Sequence, residues 1–567
     1  MRSLFVLLLS ALLLASGCIR PKEQIVTIAV TTDVHGMIFP YDFTNARPTD
    51  NSLAQVMTYV REQRSREDTL FFLLDNGDFL QGQPTVYYYN FIETEKSHLS
   101  VRAMNYMGYA AGTVGNHDIE AGPAVYNKVR ETFSFPWLAA NAIDTRTGEP
   151  YFEPYTILQA GSYRIAVLGL ITPGVPHWLP KNLWPDMAFR DMVETASHWV
   201  SIIEKKEKPD ALIGLFHSGT DPSYGGASEA YLNENATLLV ARQVPGFDAV
   251  FAGHDHRVSI QKVANTEGDS VLVVDPGSHG RFAGELSLKL GPEGLESIEA
   301  TNINMTGMDP DSDFMKTFEK DRLLVENYLG DTITWLAEEM RGMDAIFGPS
   351  SMMSLIHKVQ LELAGAELSF TAPLSLNAVL EEGPLLVSDM FKLYRFENML
   401  YTLKLSGKEI DGFLEHGVAS WFATMNGPGD PMLLTRKNKP DQLAHPYYNF
   451  SSAAGVDYTV DLRRKPGDRV RIKAFSDGRT FSPADTFRVA LNSYRGNGGG
   501  GHLTSGAGIP EDELSQRIVW STDVDLRYYL MEELMARDTL HPRTENNWHC
   551  IPENWTKKAE SRHREVF

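Results

Sequence analysis

The sequence contains few cysteines and few basic residues for its length. Its 567 residues include two cysteines, Cys18 and Cys550, so modification of Cys18 would exclude an internal disulfide and thiolate metal sites. Lysine and arginine together number 52 against 73 aspartates and glutamates, a formal net charge of −21. A surface this negative repels phosphate backbones, so we expect no nucleic-acid polymer as a partner. Small anionic ligands stay possible, because a bound cation reverses the local field.

Long hydrophobic runs are also scarce. The one at the N-terminus, "MRSLFVLLLSALLLASGC", is too short for a comfortable membrane span and has the shape of a secretory signal, predicted over residues 1–17. Small residues lead directly to Cys18, an order that resembles the lipobox of bacterial lipoproteins. We therefore expect export to the periplasm or cell envelope, with a lipid on Cys18 as the chain's one link to a membrane. Plain secretion and a retained anchor are the alternatives.

The length predicts at least two domains, and 43% hydrophobic residues fit globular protein. Over residues 24–305, short runs rich in Val, Ile and Leu alternate with amphipathic stretches. Such runs are typical of strands buried on both faces, so we expect a layered α/β domain here. Helical spacing predicts a linking helix within residues 310–345. A second domain is expected over 346–540, followed by a polar tail at 541–567.

Polar side chains of one chemical kind follow the predicted strands of the first domain. Asp, Asn and His are oxygen and imidazole ligands, which suit Zn, Mn or Fe. In open α/β sheets the carboxyl ends of the strands are where ligands bind. If the strands continue through them, alternation puts Asp33 and His35 on one side, and likewise His254 and His256. The candidate metal ligands are Asp33, His35, Asp78, Asn116, His217, His254 and His256.

Each of these residues alone has an ordinary structural explanation. A single His after a strand is usually a hydrogen-bonded loop residue, and "DNGD" is usually a turn. "GHDH" is more specific, because two His one residue apart after a Gly are uncommon. Five strand ends that carry metal-type side chains in one domain are difficult to obtain by chance, so together they indicate a metal site.

The order D-x-H, G-D, G-N-H-D, H, G-H-D-H resembles that of the calcineurin-like metallophosphoesterases. The segments "TTDVHG", "DNGDFLQGQP" and "NAIDTRTGEPYFEPY", together with "YRFENMLYTLKLSGKEI" and "NSYRGNGGGG" in the second domain, resemble the secreted 5′-nucleotidase and 2′,3′-cyclic-nucleotide phosphodiesterase family. The similarity extends over roughly residues 25–530 and is strongest to the cyclic-nucleotide 2′-phosphodiesterase/3′-nucleotidase branch. It implies a four-layer αββα first domain and an α+β substrate-binding domain.

The resemblance implies a dinuclear site that holds two divalent ions, Zn, Mn, Fe or Co. Asp33, His35 and His256 would hold one ion, and Asn116, His217 and His254 the other. Asp78 would bridge the two, because a carboxylate has two oxygens. The ions would activate a water molecule and neutralise the phosphoryl oxygens during in-line attack.

The same resemblance gives roles to the residues after Asn116. His117 would face the phosphate, where it stabilises charge or protonates the leaving alkoxide. Glu120 stands where 5′-nucleotidases of the family carry an Asp that pairs with this His. Asp118 stands at an Asp or Glu position, for which a structural role is at least equally plausible.

Substrate recognition is expected in the second domain, where family members stack the base between two aromatic rings. Phe450 matches one ring, and a place in the core is the alternative for it. Tyr494 and His502 are candidates for the second ring. Asn377 falls near a family Arg that contacts phosphate, and this replacement argues against a standard 5′-nucleotidase pocket.

These inferences predict an exported phosphoesterase that acts on nucleotides, with 2′,3′-cyclic and 3′-nucleotides as the first expectation. A 5′-nucleotidase or nucleotide-sugar hydrolase is one alternative. A phosphoesterase for a non-nucleotide substrate is another, since the second domain departs from the family pattern. A silent nucleotide-binding lipoprotein is the alternative from a different class, and the intact ligand set argues against it.

Overall fold

The computed structural model describes residues 23–224 and 231–567. The predicted signal segment and Cys18 lie outside these ranges. Across the described residues no helix is both long enough and apolar enough to cross a membrane. The fold-class prediction is confirmed: the chain forms an αββα domain followed by an α+β domain.

The first sheet of the N-terminal domain is built around Gln24–Thr31, whose sequence QIVTIAVT is rich in β-branched residues. This strand pairs in parallel with the strand at residues 69–75 and antiparallel with that at 282–291. In the described residues the six strands lie in the order Gly294–Asn304, Phe282–Gly291, Gln24–Thr31, Thr69–Asp75, Ala111–Thr113 and Trp137–Leu138.

The second sheet has a parallel centre and two antiparallel edges. The strands at 163–171, 211–217, 249–251 and 270–276 run in parallel, and the antiparallel edges are hairpin partners. In the described residues its order is Val258–Ala264, Ser270–Pro276, Ala249–Phe251, Ala211–His217, Tyr163–Ile171 and Tyr155–Ala160.

The two sheets pack face to face through an apolar core. Ile28 and Leu74 of the first sheet and Ile213, Phe251 and Val274 of the second are completely buried in one cluster. Burial of this kind is the main favourable term in folding, so it fixes the two sheets relative to each other. The parallel strands of both sheets have their carboxyl ends at the same end of the sandwich.

Helices cover the outer faces of the sandwich. Side chains cap several of them: the Ser52 hydroxyl accepts from the backbone N–H of Ala54, and Asp191 accepts from Val193 and Glu194. The main helices are Leu53–Arg64, Leu99–Met107, Asn116–Glu120, Pro123–Thr132, Met192–Lys206 and Thr237–Gln243, with the single turns Pro84–Tyr87 and Val175–Trp178.

The linking segment is shorter than the predicted 310–345. It consists of two helices, Ser312–Thr317 and Glu319–Gly330, and a strand of the second domain begins at residue 332. The second helix is attached to the first domain: Asp321 pairs with the Arg102 guanidinium and accepts from the Tyr89 hydroxyl. The helix ends at Gly330, a residue type that commonly ends helices, and the predicted bounds extended past this signal.

The second domain mixes sheets and helices, as expected. Its largest sheet in the described residues has the order Ser452–Ala454, Leu368–Thr371, Thr486–Asn492, Leu400–Ser406 and Ile518–Ser521. Two three-stranded sheets accompany it, Gly383–Leu386 with Thr332–Leu336 and Thr539–Leu540, and Val470–Phe475 with Val456–Asp461 and Trp548–Ile551. The main helices are Ser351–Ala364, Val387–Leu393, Gly407–Trp421, Leu526–Met535 and Glu553–Arg564.

Residues 541–567 are part of this domain and not a separate polar tail. The strand at residues 548–551 pairs in parallel with the strand at 456–461. The Trp548 ring is buried and stacks on Tyr458, with ring centroids 5.6 Å apart. The prediction was wrong because a four-residue strand is too short to give a hydrophobic period in a polar segment.

We expect Trp548→Ala to lower the free energy of unfolding by about 3–5 kcal/mol, because it leaves a cavity beside Tyr458. Urea titration followed by circular dichroism measures this loss. Trp335→Ala is the matched control, since Trp335 is 50% exposed, and a surface substitution changes stability by about 0.5 kcal/mol. Equal losses in the two variants would contradict the assignment of Trp548 to the core.

Candidate metal centre

The candidate ligands follow the parallel strands of both sheets. Asp33 and His35 come after the strand at residues 24–31, and Asp78 follows the strand at 69–75. His217 is the last residue of its own strand. The remaining candidates lie after two further strands: Asn116 after 111–113, and His254 and His256 after 249–251.

Asp33, His35 and His256 form a first cluster. The Nε2 atoms of His35 and His256 lie 3.0 Å apart, and His256 Nε2 is 3.3 Å from Asp33 Oδ1. The three donor atoms lie within 4.8 Å of one another, close enough to share one cation. Asp33 is fully buried, whereas the His256 side chain is 41% exposed.

Asp78, His217 and His254 form a second cluster, which Asn116 joins. Asp78 Oδ2 lies 3.0 Å from His217 Nε2. Asn116 Oδ1 is 2.9 Å from His254 Nδ1 and 3.2 Å from His217 Nε2. The structure therefore brings together all seven predicted ligands in two groups. The imidazoles of the first group follow strands of both sheets, whereas those of the second group follow strands of the second sheet.

The donor set fits two divalent cations. Hydrogen bonds fix two of the imidazoles from behind: His217 Nδ1 lies 2.6 Å from the Asn76 carbonyl oxygen, and His35 Nδ1 lies 3.1 Å from that of Gln81. Each Nδ1–H donates to its carbonyl, which leaves the Nε2 lone pair directed at the cluster, as metal-bound histidines require. Two facing Nε2 lone pairs repel each other unless a cation or a proton lies between them.

The loops that carry these ligands have unusual backbone angles. Asp33, His35, Asp78, His254 and His256 have φ between 48° and 73°, the left-handed region that non-glycine residues rarely adopt. The strands stop before them, so strand alternation is not what places these pairs. Indeed His254 and His256 belong to different clusters. Left-handed turns redirect the side chains instead, and such strain is typical of functional sites.

Asp118 joins two of these loops. Its Oδ1 accepts from the backbone N–H groups of Phe79 and Leu80, and its Oδ2 accepts from those of Asp78 and Gly115, at 2.8 to 3.0 Å. The loops are so close that a Cβ on Gly115 would lie 2.0 Å from Asp78 Oδ1. The carboxylate of Asp118 thus has the structural role considered from the sequence.

Burial and the charges of neighbouring groups strongly shift the pKa values of the second cluster. Burial alone would lower the pKa of His217, but the carboxylates of Asp78 and Asp33 raise it to about 10. Burial opposes ionisation of Asp78, yet the nearby imidazoles hold its pKa below the usual range. In the absence of a cation, the site therefore retains a proton between these groups at neutral pH.

His117 and Glu120 form a pair beside the clusters. His117 Nδ1 hydrogen bonds to Glu120 Oε2, and the His117 backbone N–H donates to Asp78 Oδ1 over 2.8 Å. Against the effect of burial, Asp78 and Glu120 raise the pKa of His117 to about 9. The longer side chain of Glu therefore reaches the imidazole, and the protonated form of His117 is favoured.

Sequence reasoning missed three groups around the site. His279 follows the strand at residues 270–276, and its ring centroid is 5.5 Å from that of His35. Glu234 Oε1 lies 3.2 Å from His254 Nε2, and the Trp178 ring lies over His254 with centroids 5.3 Å apart. His279 had a signal, since "DPGSHG" ends a predicted strand in the same way as the ligand segments.

Two of the three candidates for base stacking are in the core of the second domain. Phe450 is 2% exposed and stacks on Trp421 with centroids 4.7 Å apart. His502 is 1% exposed and packs against Phe413 and His416. The expectation of two open rings at these positions is not met. Apolar neighbours from the helix at residues 407–421 cover both rings, which an isolated sequence motif does not reveal.

Tyr494 and Asn377 are both accessible, and they lie in different segments of the second domain. Tyr494 is half-buried in the turn Ser493–Gly496, which packs against the turn Val175–Trp178 of the first domain. Asn377 is exposed in the segment after the strand at residues 368–371. Trp178 lies over the ligand His254, so the turn of Tyr494 packs against an element that contacts the second cluster.

Comparison with known proteins agrees with this geometry. Residues 26–258 match the calcineurin-like phosphoesterase model, and residues 332–505 match the 5′-nucleotidase C-terminal domain. A trifunctional nucleotide phosphoesterase of Bacillus subtilis is 25% identical over 94% of this chain, which spans 39% of that longer protein. The 2′,3′-cyclic-nucleotide 2′-phosphodiesterase/3′-nucleotidase of Yersinia enterocolitica is 24% identical, with 96% and 90% of the two chains covered.

The fold also matches solved structures. A 5′-nucleotidase precursor from Thermus thermophilus superposes with a TM-score of 0.62 at 22% identity, covering 93% of this chain and all of that one. The αββα domain and the two donor clusters define a metallophosphoesterase, a metal-dependent hydrolase of phosphoric esters that uses two divalent ions. With its second domain, the chain belongs to the 5′-nucleotidase family of calcineurin-like phosphoesterases.

Asp118→Asn should weaken metal binding by about 10- to 100-fold, the usual effect of losing a group that orients a ligand. The amide places an NH₂ where the carboxylate accepts backbone N–H groups, so the loops of Asp78 and Gly115 separate. Calorimetric titration with Mn²⁺ measures the affinity. Asp68→Asn is the control, because the Asp68 side chain is 73% exposed. Unchanged affinity in Asp118→Asn would contradict the role of this carboxylate.

Metal affinity should rise with pH. His217 has a raised pKa in the metal-free protein and keeps its proton at neutral pH, so a cation must displace that proton. Raising the pH from about 6 to about 8 lowers the cost of this displacement. Titrations in two buffers of different ionisation enthalpy will show proton release on binding. Affinity that falls, or binding without proton release, would refute this expectation.

Proposed function

We propose that this protein removes phosphate from nucleotides, with 2′,3′-cyclic nucleotides and 3′-nucleotides as its first substrates. The observation that supports a hydrolytic role most directly is the complete donor set with the His117–Glu120 pair beside it. The substrate class rests on relatives of nearly equal length that are named for this activity.

In this proposal the two clusters hold the two ions. Asp33, His35 and His256 would hold one, Asn116, His217 and His254 would hold the other, and the Asp78 carboxylate would serve both. When bound, the ions supply an activated water molecule and charge for the phosphoryl oxygens.

His117 and Glu120 act on the leaving group. Glu120 holds the Nδ1 proton of His117, which leaves Nε2 available to a substrate. The raised pKa of His117 keeps a proton on Nε2 at neutral pH, and His117 donates it to the departing alkoxide. The His117 side chain is 33% exposed, which leaves it accessible to a substrate.

A second candidate function keeps the chemistry and changes the substrate. Phe450 and His502 are buried, and Asn377 falls near the position of a family Arg, which argues against the usual base and phosphate contacts at these positions. A non-nucleotide phosphoester, or a 5′-nucleotide or nucleotide sugar bound by other residues, fits such a pocket. Tyr494 is the candidate substrate contact that stays open at the domain boundary.

We also propose that the chain is exported and that Cys18 carries a lipid. The support is the order of residues 1–18, a short apolar run followed by small residues and Cys. Mass spectrometry of the purified membrane fraction tests it. An unmodified Cys18 or a retained N-terminus would refute the lipid.

Phosphate release from a substrate panel tests the proposed activity. The panel contains 2′,3′-cyclic AMP, 3′-AMP, 5′-AMP, a nucleotide sugar and bis(p-nitrophenyl) phosphate, each with Mn²⁺ or Zn²⁺ at neutral pH. A coupled phosphatase reports the opening of the cyclic ester. We expect the first two substrates to give the highest kcat/KM, and His117→Ala to lower kcat by about 100-fold or more.

Each contrary outcome has a distinct meaning. If the generic diester alone is cleaved, the nucleotide assignment fails and the metal site stands. If no substrate is cleaved although two ions are bound, the hydrolytic role fails. Glu149→Gln is the control variant, because Glu149 is exposed in the turn after the strand at residues 142–144 and outside the ligand loops.

A further inference from the structure

The imidazole of His254 is oriented differently from those of two other ligands. His35 and His217 hydrogen bond through Nδ1 to backbone carbonyls, and their Nε2 atoms face the clusters. In His254 the order is reversed: Nδ1 lies 2.9 Å from Asn116 Oδ1, and Nε2 lies 3.2 Å from Glu234 Oε1. The outer nitrogen of this ring therefore meets a carboxylate and not a backbone carbonyl.

The backbone of Glu234 is anchored to the second sheet. Its carbonyl oxygen accepts from the Thr172 hydroxyl over 2.9 Å and from the Ser218 hydroxyl over 2.7 Å. Thr172 and Ser218 each come directly after a strand, and these two strands are neighbours in the sheet. The backbone N–H of Ala236 donates to the same Ser218 hydroxyl over 2.8 Å. Because two strand ends fix this segment, the fold itself places Glu234 beside His254.

The indole of Trp178 restricts the same imidazole from one face. The ring centroids of Trp178 and His254 are 5.3 Å apart, and the ring planes are inclined by 35°. The indole packs closely on the backbone of Gly174, where a Cβ would lie 2.5 Å from the ring. An imidazole that is covered on one face and has a polar partner at each nitrogen has little freedom to rotate. The nitrogen of His254 that faces the second cluster is therefore fixed as Nδ1.

The chemistry of a ligating imidazole gives this contact a purpose. A histidine that offers the lone pair of one nitrogen to a cation carries its proton on the other nitrogen. With Nδ1 of His254 as the ligating atom, the proton is on Nε2, and Glu234 Oε1 accepts it. A carboxylate in this position fixes the tautomer and also raises the basicity of the ligating nitrogen. The backbone carbonyls behind His35 and His217 fix the tautomer without supplying a full charge.

We infer that Glu234 is a positioning residue of the second metal site and strengthens metal binding there through its hydrogen bond to His254. The inference rests on the proposed function, in which Asn116, His217 and His254 hold one of the two ions. The Glu234 side chain is 37% exposed, so its removal leaves no cavity in the core. An effect on metal binding can therefore be measured apart from an effect on folding.

Calorimetric titration of the metal-free protein with Mn²⁺ tests this role. We expect Glu234→Ala to weaken the binding of one ion by about 10- to 100-fold, the usual effect of losing a group that orients a ligand. The affinity for the other ion should change little, because the ligand that Glu234 contacts belongs to one cluster. Glu234→Gln keeps an oxygen acceptor of similar reach, and we expect it to lose less affinity than Glu234→Ala.

Glu267→Ala is the matched control for the loss of one carboxylate. Glu267 is exposed in the turn between the strands at residues 258–264 and 270–276 of the same sheet. This turn lies at the end of the sheet opposite the ligands, because the ligand loops follow the carboxyl ends of the parallel strands. Both Mn²⁺ affinities should keep their parent values in this variant.

A double-mutant cycle shows whether Glu234 acts through His254. His254→Ala removes the imidazole, so adding Glu234→Ala to it should have little further effect on the Mn²⁺ affinity. Additive losses in the double variant would refute the inference. It is also refuted if Glu234→Ala keeps both affinities, or if it weakens the binding of both ions equally.

Phosphate release at limiting and at excess Mn²⁺ separates positioning from substrate contact. Glu234→Ala should lose activity at limiting Mn²⁺ and recover most of its kcat in excess Mn²⁺, with the KM for the substrate unchanged. A raised KM in excess Mn²⁺ would assign Glu234 to the substrate and overturn the inference. If the parent protein cleaves no substrate of the panel, the proposed function fails, and the metal titrations still decide the role of Glu234.

Discussion

The apolar contact between the two sheets of the first domain is the constraint from which the site follows. Ile28 and Phe251, one from each sheet, are completely buried in the shared core. Parallel strands of both sheets therefore end at one edge, and the loops that leave those strands are forced together. The ligands lie in these loops, so the packing of the two sheets brings the two clusters together.

Bringing these ligands together is unfavourable in itself. The Asp78 carboxylate and the imidazole of His217 are fully buried, and the loops of Asp33 and His254 adopt left-handed backbone angles. Four backbone N–H groups that donate to Asp118 oppose this cost locally. A bound cation offsets the remainder, because it stabilises each donor in its deprotonated form. Fold stability and metal content are thus linked in this domain.

Much of the first domain could be predicted from the sequence, because buried parallel strands give continuous apolar runs and the ligands follow them. The geometry that separates His254 from His256 could not, since left-handed loops leave no periodic signal. Phe450 was misplaced for a different reason. Its motif is local, whereas its burial depends on Trp421, which lies in another element. His279 was overlooked because a lone His in a loop is usually structural.

The second domain packs against the first through a buried cation. Arg527 bonds to the backbone of residues 394 and 395, and its guanidinium lies over the rings of Tyr87 from the first domain and Phe391 from the second. The free-energy cost of desolvating a cation between two rings is smaller than that of an isolated buried charge. The cation also fixes the orientation of both ring planes. The boundary between the domains is therefore ordered by a directional contact.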